Sequence, residues 1–454
     1  MPWRWPSWLC RLVLSLLVLI LPFVIRGWFL WQVPDVGEPF DVKSFYPADL
    51  PPEQNAFTHY NEAQRIRFLV AEVWLKRGTP PIPTDHAFPQ VFVEGLSALS
   101  PSENQWLADQ RATLDEWRRG TELSLAQAFT LKEMGIATGL DIHQDHSIFI
   151  ALARIESLRC EADGDLNAAW EWCRACVRFS RHLNSHSGKM QRWLGVDAHK
   201  LVVDGVMRWA EHPAVTADQL RAVLAEIRAE YAKYAPLSEM LKMEHLFWSQ
   251  SFTSSKWTED GLGLFLNRPA WEKRVPALAV LRRPAMWLVG EPDVYLRLHR
   301  QILLNQLNEI DKPLGQRTKL VGTKAMLFDP DPNVPMKRGQ LDPTRLERAM
   351  PASVVWQITD TCGIPTKPVE DHVSMERTRQ AALEVLLAAQ AYRRDKGEYP
   401  ESLDELVPQY LEAVPLDPCD RHGGRLLYRR DSAINAVVGS VGVNEFVLKV
   451  AEPK

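Results

Sequence analysis

Hydrophobic positions along this chain fall into three patterns, each predicting a different kind of element. Near the N-terminus they form one nearly unbroken run, Leu12–Trp31, LVLSLLVLILPFVIRGWFLW. Twenty residues at ~1.5 Å rise give roughly 30 Å of helix, the thickness of a bilayer's hydrocarbon core. Across the middle they recur every three to four positions, as on the buried face of a helix. Over the last thirty residues they shorten to strand-like groups in RLLYRRD, AINAVVGSV and NEFVLKVAE. The last group alternates, placing Phe446, Leu448 and Val450 on one face against Glu445 and Lys449.

The middle stripes predict individual helices. Ile66, Leu69, Val70, Val73 and Trp74 mark a helix that starts near Ala56 and ends before Gly78-Thr-Pro-Pro. Ser102 is positioned to cap a helix over 103–119 with Trp106, Leu107, Leu114 and Trp117 inward. Ile148, Leu152, Ile155 and Leu158 form one stripe, and Leu166, Ala169, Trp170, Cys173 and Val177 form the next. The turn Asp163-Gly164-Asp165 between them predicts an antiparallel helical hairpin over 146–186. Helices follow at 189–211, at 217–233 behind the capping box Thr216-x-x-Gln219, at 237–250 and at 292–310. The apolar run 277–289 is interrupted by Arg282, Arg283 and Pro284, which suits a buried or membrane-grazing segment. Ala382, Leu386, Ala389 and Tyr392 mark a helix over 377–395, and Ser402-x-x-Glu405 caps a short one after it.

Prolines divide these elements. Residues 33–55 read as a Pro-rich stalk, and 311–369 as a long connection with one short helix at 343–349. The expected fold is mainly α. It has an anchor at 1–32, the stalk, an irregular α-helical domain at 56–310, the connection, and a small α+β domain with an antiparallel sheet at 370–454. The last is expected to fold on its own.

Charge sets the orientation of the apolar run. Arg4 and Arg11 precede it, whereas Asp35, Glu38 and Asp41 follow with only Lys43 against them, which predicts a cytoplasmic N-terminus and an extracytoplasmic bulk. Arg26 is near enough to the far end to snorkel, and Trp3, Trp5, Trp8, Trp28 and Trp31 supply aromatic belts. A cleaved signal peptide is the alternative, but no small-residue triplet follows the run. An uncleaved signal-anchor of the inner membrane is therefore expected. The net charge of −4 leaves no electrostatic footprint for nucleic acid. Six cysteines in 454 residues are too sparse for a disulfide framework, although Cys362 and Cys419 could pair outside the cytoplasm.

The stretch ADGDLNAAWEWCRAC resembles the turn and second helix of a tetratricopeptide repeat, with Gly164 at the turn and Ala169, Cys173 and Cys176 at its packing positions. No second copy follows at that period. RRDKGEYPESLDELVPQYLEAVPLDPCDRHGGRLLYRRD resembles the globular half of type II secretion major pseudopilins, through G-x-Y-P-x-S-L-x-x-L and Y-L-x-x-V-P-x-D-P. The likeness covers about 75 residues. With the N-terminal anchor and helical middle, this ending is similar to a group of membrane-anchored envelope proteins of planctomycete-type bacteria. The resemblance implies a helix packed on a small antiparallel sheet, in an envelope or secretion setting. Two departures matter. The apolar run lies some 350 residues upstream and holds no glutamate, which removes the basis for pilus-like polymerisation. GSVGVNEF stands where an aspartate-rich calcium loop is expected.

Candidate chemistry is sparse. Gly322-Thr-Lys324 lacks the upstream glycine of a phosphate loop, and Gly439-Ser-Val-Gly442 is not a nucleophile elbow. Cys173-x-x-Cys176 lies inside a helix, away from the N-terminus that would acidify a thiol. The seventeen tryptophans suit core packing better than a sugar-binding face. One cluster carries a chemical possibility. In a hairpin turning at Gly164, His146 and His182 lie equally far from the turn, His186 lies one turn beyond, and His143 is close in sequence. With Asp141 or Asp145 they could hold Zn²⁺ at the open end, as in a metal-dependent hydrolase. That is the alternative to the favoured expectation of a non-enzymatic, single-pass scaffold with protein partners. The remaining reading of the four histidines is polar capping at helix ends.

Overall fold

The computed structural model describes residues 7–32, 35–46, 50–76, 89–131, 134, 146–251, 288, 291–317, 367–433, 435–440 and 447–450. The expected elements at 277–289 and 343–349 lie outside them. The protein is mainly helical, with one apolar N-terminal helix and a small antiparallel sheet at the C-terminus. Helix α1 spans Ser7–Gln32. Its stretch Ser7–Trp28 has mean hydropathy 2.5 and is not covered by the rest of the protein, so it is long and apolar enough to cross a membrane.

After a single turn, α2 (Val42–Phe45), α3 covers Ala56–Lys76. Its buried face keeps Trp74, and Val70 packs against the core, but it departs from the stripe that the sequence suggests at Leu69 and Val73. Ala56, Phe57, Tyr60, Ala63 and Trp74 are buried, whereas Leu69 and Val73 are exposed. The small residues decide this, because Ala56 and Ala63 let the backbone of α6 (Arg111–Glu122) come close. A Cβ on Gly120 of α6 would lie 2.6 Å from the Tyr60 ring and 3.0 Å from the Ala56 carbonyl. Between them come α4 (Pro89–Glu94) and α5 (Pro101–Asp109). The cap of α5 is Ser100, not Ser102. Ser100 Oγ accepts from the Glu103 amide at 3.2 Å, the Glu103 carboxylate accepts from the Ser100 amide at 2.7 Å, and Pro101 fits the first helical position.

The hairpin forms as expected from α7 (His146–Ala162) and α8 (Leu166–Asn184). Gly164 takes φ +80°, a conformation suited to glycine, and Asp165 caps α8 by accepting from the Ala168 amide at 2.9 Å. Helix α9 (Lys189–Glu211) returns along α8, and α10 (Ala217–Tyr231) opens with the expected Thr216–Gln219 capping box. Helices α11 (Leu237–Ser251) and α12 (Glu291–Leu307) pair with each other. Trp74, Trp106, Trp117, Trp170, Trp172 and Trp209 are buried in one continuous core, as packing residues.

Helix α13, Lys367–Lys396, lies between the helical body and the C-terminal sheet. From Ala382 to Ala391 every residue except Glu384 is buried, so this helix has no solvent face along that run. One side meets α9 and α10, and the other meets the 403–406 turn and the sheet. Hydrophobic packing is therefore continuous across the boundary that the sequence suggests near 370. The sheet has order β1-β2-β3, from Leu427–Ser432, Asn435–Gly439 and Val447–Val450. Both pairs are antiparallel, with Tyr428 opposite Val438 and Val438 opposite Leu448. The expected facing of Phe446, Leu448 and Val450 lies outside the described side chains.

Candidate functional site

Near its end, α8 buries Ser180, Arg181, His182 and Asn184 within the helical body. His182 is buried, with Nδ1 2.6 Å from the Tyr60 hydroxyl and Nε2 2.6 Å from the Arg181 guanidinium. A guanidinium only donates, so Nε2 accepts and the ring proton sits on Nδ1, donated to the Tyr60 oxygen. Burial, with Arg181 alongside, pushes the imidazole pKa down to about 3. Arg181 in turn pairs with Glu230 of α10 at 2.9 Å.

His186 goes elsewhere. Its φ is +45°, its Nδ1 lies 3.7 Å from Glu239, its Nε2 lies 3.3 Å from the Phe45 carbonyl, and its ring rests against Phe45 and Tyr46. His143 and the side chain of His146 lie outside the described residues. Of the four candidate metal ligands, His182 and His186 therefore belong to different clusters, and both ring nitrogens of His182 are already engaged. Among the described residues no group of three His, Cys, Asp or Glu side chains is arranged to hold a metal ion.

Cys173 and Cys176 are buried, and burial raises both thiols above their ordinary range, the opposite of a reactive pair. Cys419 is a free thiol that accepts from Thr378 Oγ1 at 3.2 Å, and Cys362 lies outside the described residues.

Two further features escape the sequence pattern, because each joins residues more than 100 positions apart. First, Glu376 of α13 is fully buried, pairing with Arg192 of α9 at 3.1 Å and accepting from Asn184 Nδ2 of α8 at 2.8 Å. A Cβ on Gly195 would collide with Asn184 Oδ1, so the glycine makes room for that amide. Second, the segment after α1 is held to the body and does not stand off as a spacer. Arg26 pairs with Asp293, and Arg300 pairs with Asp35 at 3.1 Å and also with Glu38. His245 Nε2 lies 2.8 Å from Glu38 and stacks on His299 with ring centroids 5.1 Å apart. Phe40 packs beside Leu303 and Leu241. The reason is chemical: Asp35, Glu38 and Phe40 each find a partner on α11 or α12, which outweighs the extended preference of the prolines.

A cavity of about 500 Å³ opens between residues 311–317, the first turns of α13 and the 416–423 loop. Its walls mix Lys312, Arg317, Arg377 and Arg421 with Asp311, Asp417 and Asp420, over an apolar floor that includes Leu314 and Pro418. Its size suits a small molecule. Comparison of the chain with known family models, curated proteins and solved structures finds no match.

Proposed function

We propose that this chain is a single-pass inner-membrane protein whose N-terminus is cytoplasmic, and whose helical body and C-terminal α+β unit act outside the cytoplasm as a non-enzymatic scaffold for protein contacts. The observation that carries the reading is α1. Its apolar side chains are exposed along Ser7–Trp28, a surface that water does not tolerate and a bilayer does. The charge asymmetry around it supports the orientation. The scaffold part draws on the buried polar groups, since Tyr60, His182, Arg181 and Glu230 join α3, α8 and α10, while Arg192 and Glu376 join α9 and α13. Such groups hold helices in register. The pseudopilin-like ending agrees with an envelope setting.

Topology is tested with protease added outside the cytoplasmic membrane to cells carrying the full chain tagged at its C-terminus. Loss of the tag, with an N-terminal fragment left in the membrane, is the expected result. Full protection, or a mature N-terminus beginning after Trp31, would overturn the anchor. Crosslinking in intact cells, followed by recovery of the full chain, tests the scaffold. Discrete heterologous adducts are expected, and their absence counts against it.

A further inference from the structure

We propose that the cavity between residues 311–317, α13 and the 416–423 loop binds a small organic anion, a carboxylate or phosphate monoester on an apolar body, through Arg377 and Arg421. Hydrogen bonding around the cavity points that way. Each of its three carboxylates already accepts from a neutral group of the protein. Asp311 accepts from the Ser238 amide at 3.0 Å. Asp417 accepts from Ser440 Oγ at 2.7 Å and the Cys419 amide at 2.9 Å. Asp420 accepts from the amides of His422 at 2.9 Å and Gly424 at 2.6 Å. Two of the cations are also engaged. Lys312 pairs with Glu309 at 2.6 Å, and Arg317 donates to the carbonyls of Lys312 at 2.9 Å and Ile310 at 2.8 Å.

Arg377 and Arg421 are different. Among the described residues neither guanidinium has a hydrogen-bonding or ion-pairing partner, although both line the cavity, so each is open to an anion from outside. A planar five-donor group suits a carboxylate or phosphate.

Arg377 is also kept at a cost. Burial, with Arg192 nearby, holds its guanidinium below the usual range, and Asp311 and Glu376 offset this in part. A cation left partly desolvated and unpaired fits a site whose partner arrives from outside better than a group placed for stability. The wall is also pre-formed. Asp417 N donates to the Gly424 carbonyl at 2.8 Å, and Leu416 bridges Arg425, so the loop is organised without a ligand. Leu314, Pro418 and the exposed Leu416 give the apolar body a surface to lie on.

The test uses the full chain in nanodiscs of zwitterionic lipid, titrated calorimetrically with phenyl phosphate, benzoate and inorganic phosphate. One or both organic anions should bind saturably and more tightly than inorganic phosphate. A charge-assisted hydrogen bond is worth about 1.5–3 kcal/mol, so Arg377→Gln and Arg421→Gln should each weaken binding roughly ten- to a hundredfold. Arg65→Gln, on the exposed face of α3, should not. Without ligand, Arg377→Gln should melt no lower than the parent chain, an outcome that a purely structural arginine would not give. If that variant fails to fold, the exposed Arg421 carries the test alone. Absence of saturable binding, unchanged affinity in Arg421→Gln, or inorganic phosphate binding as tightly as the organic anions would overturn the proposal. Loss of more than tenfold in affinity when the nanodisc lipid is made anionic would also overturn it, by assigning the cavity to a lipid headgroup.

Discussion

Replacing Glu376 with alanine tests how the C-terminal unit is held. The carboxylate is fully buried and Arg192 is 2% exposed. Neither Nε nor the other terminal nitrogen of Arg192 has a hydrogen-bond partner among the described residues. Removing Glu376 therefore strips the guanidinium of its one ionic contact while leaving it out of water, and it also orphans Asn184 Nδ2. Breaking a buried pair from one side costs about 3–5 kcal/mol. The upper half of that range is expected, because Arg379, desolvated itself, is also partly compensated by Glu376. The double variant Arg192→Met/Glu376→Leu removes both charges, and apolar replacement of a buried pair is often neutral or better. It should lose less than either single variant. The assay is urea unfolding of the full chain, read by hydrogen exchange over 373–391 so that the reporter sits on α13. A cost below about 1 kcal/mol for Glu376→Ala would show that water reaches the pair. A double variant worse than both singles would refute the reasoning outright.

Three other outcomes follow from the same packing. His182 and His199 are each depressed to about 3 by burial against an ordinary value of 6.5, so the unfolded chain takes up protons that the folded chain refuses. Stability should fall as pH drops below 6.5, by about 1.4 kcal/mol per pH unit for each ring, and His199→Gln should remove one share of that slope; an unchanged slope between pH 6.5 and 5 would count against burial of the neutral ring. Gly120→Ala should cost about 1–3 kcal/mol and loosen the Tyr60–His182 hydrogen bond, because the added methyl meets the Tyr60 ring and the Ala56 carbonyl; an unchanged melting midpoint would contradict the close approach. A fragment of residues 370–454 should lack a cooperative unfolding transition by itself, since Leu383, Leu386 and Leu387 would lose part of their cover; a sharp transition would show that the sheet side suffices.

Local chemistry made much of the fold legible. The Thr216–Gln219 and Ser402–Glu405 boxes, the Gly164 turn and the antiparallel hairpin are all written within a few residues, and they stand where the pattern places them. Readings failed where a distant neighbour decides. Leu69 and Val73 match a helical stripe, yet α6 packs on the Ala56–Tyr60–Ala63 face, where glycine and alanine allow closer contact. Helix α13 reads as amphipathic from Ala382, Leu386 and Ala389, but Val385, Leu387 and Ala388 are buried too, because layers cover both its sides. The cavity was not readable at all. Its unpaired arginines, Arg377 and Arg421, belong to segments well separated in sequence, and an unpaired guanidinium is recognised only once its neighbours are in place.

The central position of α13 also has a consequence in time. Helices α9 and α10 are complete by Tyr231, but the helix that covers them ends at Lys396, about 165 residues later. At roughly 5–20 residues per second, the ribosome leaves their apolar faces uncovered for about 10–30 s. A nascent chain cannot close its own core in that interval. It depends on whatever shields those faces until the last fifth of the protein arrives, and a truncation anywhere before α13 leaves them bare for good.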